Sequence, residues 1–173
     1  MSTRSALGLA MLLFAGTVTA AGPNLGTPLG AAELAPWDTS IMPDGSGLPP
    51  GSGTASQGSP IYAAKCASCH GEGGKGGISS AVIARGPITS INGAEKTIGN
   101  FWPYATTLFD FIRRAMPWQE PRTLTNDEVY ALTAYLLLLN NVIGESEVMN
   151  ATTLPRVRMP NRDGFIMRFP DRL

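Results

Sequence analysis

The sequence predicts an all-α fold with long irregular extensions at both ends. Three observations carry that expectation. Residues 104–115 and the stretch that follows Thr125 place apolar side chains at helical spacing. No run of alternating apolar and polar residues marks a strand. Gly and Pro, 20 and 14 of the 173 residues, gather outside the periodic segments, where turns and irregular backbone belong. The length suits one ordinary domain. Thirteen basic and thirteen acidic side chains cancel, so no cationic excess exists to hold a nucleic-acid backbone. With 43% hydrophobic and only 15% charged residues, charge-driven disorder of the whole chain is excluded.

The elements follow in order. Residues 1–20 carry Arg4, an apolar run over 6–14 and small residues at Val18-Thr19-Ala20, the pattern of a cleaved signal peptide. The run is shorter than the roughly 20 residues that span a bilayer, so an exported chain with no membrane span is expected. Removing Arg4 with the leader leaves 12 basic and 13 acidic groups, a charge of minus one. Residues 21–58 are a Gly/Pro-rich extended arm. Trp37, Ile41, Met42 and Leu48 favour an arm lying on a surface, while the turn chemistry of 43–53 also suits a flexible linker. The ordered domain is expected over 59–143. Ser59 is its N-cap and Pro60 the first helical residue, and a short helix over 61–67 runs into Cys66-Ala67-Ser68-Cys69-His70. A second helix covers 104–115 and is stopped by Pro117. A third opens on a capping box, Thr125 with Glu128, and continues through Val129, Leu132, Leu136 and Leu139. Tyr62 and Tyr135 are expected at the crossing of the first and last helices. The irregular extension 144–173 is rich in Arg and in apolar residues, among them Phe165. Both flanks read as a partner interface, with folding back onto the domain as the rival.

Cys-x-x-Cys-His is the attachment signature of a c-type haem. Residues three apart share one face of a helical turn, so the thiols of Cys66 and Cys69 reach the two vinyl groups of one porphyrin. His70 then presents its imidazole to the iron from the same side. A thioredoxin-like pair needs a strand before the motif, and a structural zinc needs four ligands of Cys or His type where the chain has three. One covalent haem c is therefore expected. With a single His, the sixth ligand is a Met, a Lys, another weak donor or nothing. Met116, at a helix end before Pro117 and ahead of the capped helix, is the preferred ligand over Met42, Met149, Met159 and Met167; the competing reading is a gap-filling core methionine. Trp102, Tyr104 and one of Arg113 or Arg114, with Arg113 preferred, are the further candidates for contacts to the haem, through its propionates.

Residues 59–71, 101–118 and 124–138 together resemble class I cytochrome c. More specifically, 44–53, 101–117 and 154–165 resemble the SoxD-type cytochrome subunit, over about 37–166. That resemblance implies three main helices round one haem and a molybdenum-containing sulfite or sulfane dehydrogenase as partner. SoxD-type chains are often longer, with a second haem-bearing region, whereas one motif is present here. Gly86-Pro87 resembles the loop whose carbonyl accepts the ring proton of the haem histidine, or is a plain turn. His/Met ligation leaves no open coordination position, so electron transfer without substrate chemistry is expected. The expected protein is a periplasmic electron-transfer subunit that hands electrons to a downstream cytochrome. A free shuttle, or a haem enzyme or gas binder with an open iron site, are the alternatives.

Overall fold

The computed structural model describes residues 26–34, 36–83, 86–88 and 95–166. The expected leader and Met167 lie outside them. The chain divides into two units, residues 1–38 and 39–173. In the first, a single helical turn, α1 (Ala31–Leu34), is capped by the Glu33 carboxylate, which accepts from Gly30 N at 2.9 Å, and leaves Trp37 exposed.

The second unit is helical with one small sheet. Its first helix, α2 (Ala55–Lys65), starts four residues before the expected N-cap. The cap is Thr54, whose hydroxyl accepts from Gln57 N at 3.4 Å while its own N–H donates to Gln57 Oε1 at 2.9 Å. Ser59 and Pro60 are thus inside the helix. Pro60 has no N–H to donate to the Ser56 carbonyl, at a cost of one bond in the second turn. The chain breaks helical angles at Cys66 and resumes in α3 (Ala67–His70).

Helix α4 (Ala105–Ala115) buries Leu108, Phe109 and Ile112 and ends at Met116, whose backbone is extended; the Met116–Pro117 peptide is cis. Helix α5 (Asn126–Leu139) opens on the expected box, with Thr125 N donating to Glu128 Oε2 at 2.8 Å. Helices α2 and α5 cross in close contact. A Cβ on Gly58 would lie 2.0 Å from the Ala131 carbonyl oxygen, and one on Gly53 would lie 2.2 Å from Ala131 N. Tyr62 and Tyr135 meet at the crossing, ring centroids 5.3 Å apart, as expected.

Two three-residue strands, β1 (Ser52–Thr54) and β2 (Val148–Asn150), pair antiparallel with Gly53 opposite Met149. No strand was expected there, because three residues are too few to show a period. Through this pair both flanks fold back on the domain. Tyr130 Oη donates to the Pro49 carbonyl at 2.9 Å, and Ser52 N donates to Asp127 Oδ1 at 2.8 Å. Met149, Leu154 and Met159 are buried in the same core as Phe109 and Tyr130. The stretches 39–58 and 145–159 are therefore part of the packed unit, and the arm reading is corrected for them. What decided it is long-range pairing of apolar residues, which sequence spacing does not reveal.

Two outcomes follow from this packing. Gly58→Ala should destabilise the protein by about 1–3 kcal/mol, because overpacking a helix crossing outweighs the helix-propensity gain; chemical denaturation measures it. The Glu128 carboxyl is held below its ordinary value of 4.5, chiefly by the Thr125 N–H, with the Thr125 hydroxyl and Lys65 assisting. Its folded value is the lower one, so the stabilisation is complete above pH 4.5 and is lost as pH falls through the folded value. Stability curves of the native protein and of Glu128→Gln should therefore differ at neutral pH and converge in acid.

Candidate haem site

The motif turn is built by local geometry. Cys69 N and His70 N both donate to the Cys66 carbonyl, at 3.1 and 3.0 Å, so the two thiols stand on consecutive positions of one helical face. Both cysteines are free and half-buried. Burial pushes the Cys66 thiol up to about 11. Directly after His70, Gly71 has φ +78, and a Cβ there would lie 2.2 Å from the Gly76 carbonyl oxygen. The tight loop beyond the motif requires glycine at that position. Tyr62 Oη donates to the Gly71 carbonyl at 3.0 Å, tying the loop back to α2, and burial pushes this phenol up to about 12.

His70 Nδ1 lies 3.0 Å from the Ser80 carbonyl. A carbonyl only accepts, so Nδ1 is the donor, and in the neutral imidazole that tautomer leaves the lone pair on Nε2. The acceptor is thus Ser80 and not the Gly86-Pro87 loop, whose Gly86 carbonyl instead accepts from Asn100 Nδ2 at 3.2 Å. The hairpin-like return after Gly76 brings Ser80 back beside the motif, with Ser79 N donating to the Cys69 carbonyl at 2.9 Å. Nothing in the sequence around Ser80 announces this.

Cys66, Cys69 and His70 line one side of a cavity of about 300 Å³. Its walls are Leu132 and Leu136 from α5, Leu108 and Ile112 from α4, and Ile98, Val82 and Trp102 from the intervening loop. Met116 lines it too, carried there by the extended backbone at the end of α4. The other described methionines are placed elsewhere: Met149 and Met159 are buried in the core, and Met42 is exposed. Trp102 stands against Phe111, ring centroids 5.6 Å apart and 80° between planes. Tyr104 and Arg113 are not among the lining residues. Tyr104 sits under the Arg162 guanidinium, and the charge of Arg113 is felt by the Tyr130 phenol, on the core face of α4. Two lysines that sequence reasoning passed over, Lys65 and Lys96, do line the cavity. Their signal was only proximity in sequence to the motif and to Trp102.

The residues present fit a covalent haem. Two thiols on one helical face, an imidazole whose distal nitrogen keeps its lone pair, a thioether from another element and apolar walls are the donor set and enclosure that a c-type haem uses.

The comparisons agree. The sequence matches the family of cytochrome c oxidase, cbb3-type, subunit III over residues 53–136. A solved structure, the sulfane dehydrogenase SoxCD from Paracoccus pantotrophus, aligns at 38% identity with a TM-score of 0.75, covering 87% of this chain and 73% of that one. The chain belongs to the c-type cytochromes. It resembles SoxD, the cytochrome c subunit of that dehydrogenase. No curated protein matches the chain in a sequence comparison. The class I fold that the resemblance implied is the one observed, and the cofactor of the family is haem c. Among the described residues no helix is long and apolar enough to cross a membrane.

The loop after the motif generates a paired expectation. Gly71→Ala, with backbone on its Cβ, should lower the melting temperature of the cytochrome by many degrees. Gly73→Ala has φ +63, yet its Cβ would meet only the end of the Lys75 side chain at 4.0 Å, so it should cost about 1–2 kcal/mol, the left-handed penalty alone. Calorimetry of the two variants separates these effects.

Proposed function

We propose that this cytochrome is a periplasmic, single-haem electron-transfer subunit of a molybdenum-containing sulfite or sulfane dehydrogenase, passing electrons to a downstream cytochrome. The observation that carries the reading is the convergence of Cys66, Cys69, His70 and Met116 on one apolar cavity in a chain that resembles SoxD. Export to the periplasm is supported by the leader-like residues 1–20. Association with a dehydrogenase is supported by the likeness to a subunit of such a complex.

A bound haem c supplies a one-electron ferric/ferrous couple. Cys66 and Cys69 would hold the macrocycle covalently. His70 and Met116 would supply the nitrogen and sulfur donors to its iron, which would leave no position for substrate. The Ser80 carbonyl fixes the His70 ring and its tautomer, so that the ligand nitrogen needs little reorganisation between oxidation states. Leu108 and Ile112 of α4 and Leu132 and Leu136 of α5 exclude water. Trp102 closes the wall ahead of α4. Lys65 and Lys96, which line the cavity, would offer positive charge to the carboxylates of the group.

The purified protein should keep its colour through acid-acetone extraction and give one haem per chain. Met116→Ala should abolish the weak sulfur-to-iron band of the oxidised form and open the iron to imidazole, while Met159→Leu leaves both unchanged. The haem should be reduced by the dehydrogenase and its sulfur substrate together, and by neither alone. Extractable haem, or a Met116→Ala variant with native spectrum, overturns the site assignment.

A further inference from the structure

Three contacts from the C-terminal extension converge on residues 101–104, the stretch that carries Trp102 into the cavity wall. Asn161 Nδ2 donates to the Phe101 carbonyl at 2.7 Å. The Arg162 guanidinium lies over the Tyr104 ring, 4.2 Å from its centroid. Phe165 packs edge-on against Phe101, with ring centroids 5.3 Å apart and 73° between planes. None of these three side chains lines the cavity.

The segment that delivers them is firmly based and tightly turned. Met159, at its root, is 1% exposed. Arg162 N donates to the Met159 carbonyl at 3.0 Å and Gly164 N to the Asn161 carbonyl at 3.1 Å. A Cβ on Gly164 would lie 1.9 Å from Asn161 Oδ1, so the absence of a side chain at 164 is what lets the Asn161 amide take its place. Upstream, residues 95–100 are held by their own bonds: Thr97 N donates to Asn100 Oδ1 at 2.7 Å, and Asn100 Nδ2 donates to the Glu95 carbonyl at 2.9 Å. Beyond Phe101 the support changes hands. The Phe101 carbonyl and the Tyr104 ring are held by the extension, and Tyr104 caps α4 without any side-chain hydrogen bond.

We propose that residues 159–165 form a strap that sets the position of Trp102, with Asn161 and Arg162 as positioning residues for the haem cavity. The inference rests on the haem reading above. Asn161 acts on main chain, so its bond fixes where the backbone of 101–104 runs rather than one rotamer. Arg162 adds a cation–π contact at the other end of the same stretch. Held at both ends, Trp102 keeps its packing on Phe111 and closes the wall. Released, the wall admits water, which favours the more highly charged ferric state and lowers the potential. Asp163, on the same strap, pairs instead with Arg158 just ahead of it, and both side chains are about three-quarters exposed. This pair serves as the internal control.

The test uses the full-length cytochrome. Haem content is measured first in Asn161→Ala, Gly164→Ala, Arg162→Ala, Arg162→Lys and Asp163→Asn. Imidazole-binding rate, midpoint potential and amide exchange of residues 99–104 follow. Asn161→Ala and Gly164→Ala should bind imidazole several-fold faster, show a lower potential and exchange faster over 101–104. Arg162→Ala should do the same to a smaller degree, with Arg162→Lys restoring most of it, and Asp163→Asn should match the native protein. Unchanged imidazole rate and potential in both Asn161→Ala and Arg162→Ala overturn the proposal, even where melting temperature falls. Where Asn161→Ala fails to accumulate, Arg162→Ala decides, its side chain being only half-buried. Should the protein hold no covalent haem, the haem reading fails by itself. Amide exchange over 101–104 then tests the strap alone: faster in the variants supports it, unchanged overturns it.

Discussion

The close crossing of α2 and α5 at Gly58 and Ala131 is the constraint from which the rest of the domain is hung. Backbone meets backbone there, leaving no side chain to absorb a displacement. The crossing fixes the direction in which α2 delivers Cys66 and His70, and it fixes which face of α5 turns toward the cavity. Leu132 and Leu136 line that cavity. One residue earlier on α5, Ala131 also receives Gly53 of β1, so the first strand is set by the same contact. A shift of either helix would move the ligand-bearing turn, the cavity wall and the sheet together.

A domain organised round a cavity has to find its packing elsewhere. Helix α5 answers this by being buried on nearly all sides. Leu132 and Leu136 face the cavity, while Val129, Tyr130 and Leu137 join the core that Met149, Leu154 and Met159 complete. Such an all-round apolar helix belongs at the centre of a fold, not on its surface. Its buried hydroxyl, Thr133, donates to the Val129 carbonyl at 2.7 Å, so that group is not stranded. The chain before α2 and after α5 supplies the cover. Phe109 against Tyr130, ring centroids 4.4 Å apart, marks where α4 enters this second core.

The features legible in the sequence were those whose cause is local. Thr125 and Glu128 sit three apart and bond to each other, so the start of α5 could be read directly. Met116 before Pro117 and the Cys66–His70 spacing are equally self-contained. The start of α2 shows how local reading fails: Ser59-Pro60 has the chemistry of a helix start, but Thr54 and Gln57 have the same box signature, and the docking of Gly53 and Gly58 on Ala131 favours the earlier cap. The flanks were hidden for a different reason. Met149 is core because Gly53 pairs with it across nearly a hundred residues, a relation that no window reveals. The partner of His70 was hidden likewise, since a backbone carbonyl has no residue type, and Ser80 reaches the ring only through the turn at Gly76. Arg113 and Tyr104 were candidates for the haem propionates on the chemistry of their side chains, which does not tell where the side chains point. Helical rotation carries Arg113 past the cavity face, and the cap geometry turns Tyr104 toward Arg162.

The lining of the cavity bears on how a haem held there would behave. Apart from His70, the ionisable side chains that line it among the described residues are Tyr62, Lys65, Lys96 and the two motif cysteines, with no carboxylate among these. Low-polarity walls penalise any added positive charge, and cations at the rim penalise it further. Lys65 is partly neutralised by Glu128, whose carboxylate stands 3.8 Å away and is itself committed to capping α5. Lys96 has the Phe101 ring at 5.5 Å instead, and that ring is the one the strap braces. The electrostatics of the cavity and the mechanics of its wall thus meet in residues 96–104. Trp118 follows directly after Met116 and also lines the cavity, although it is 79% exposed, so the lining at Met116 continues into a solvent-facing indole rather than into the buried core.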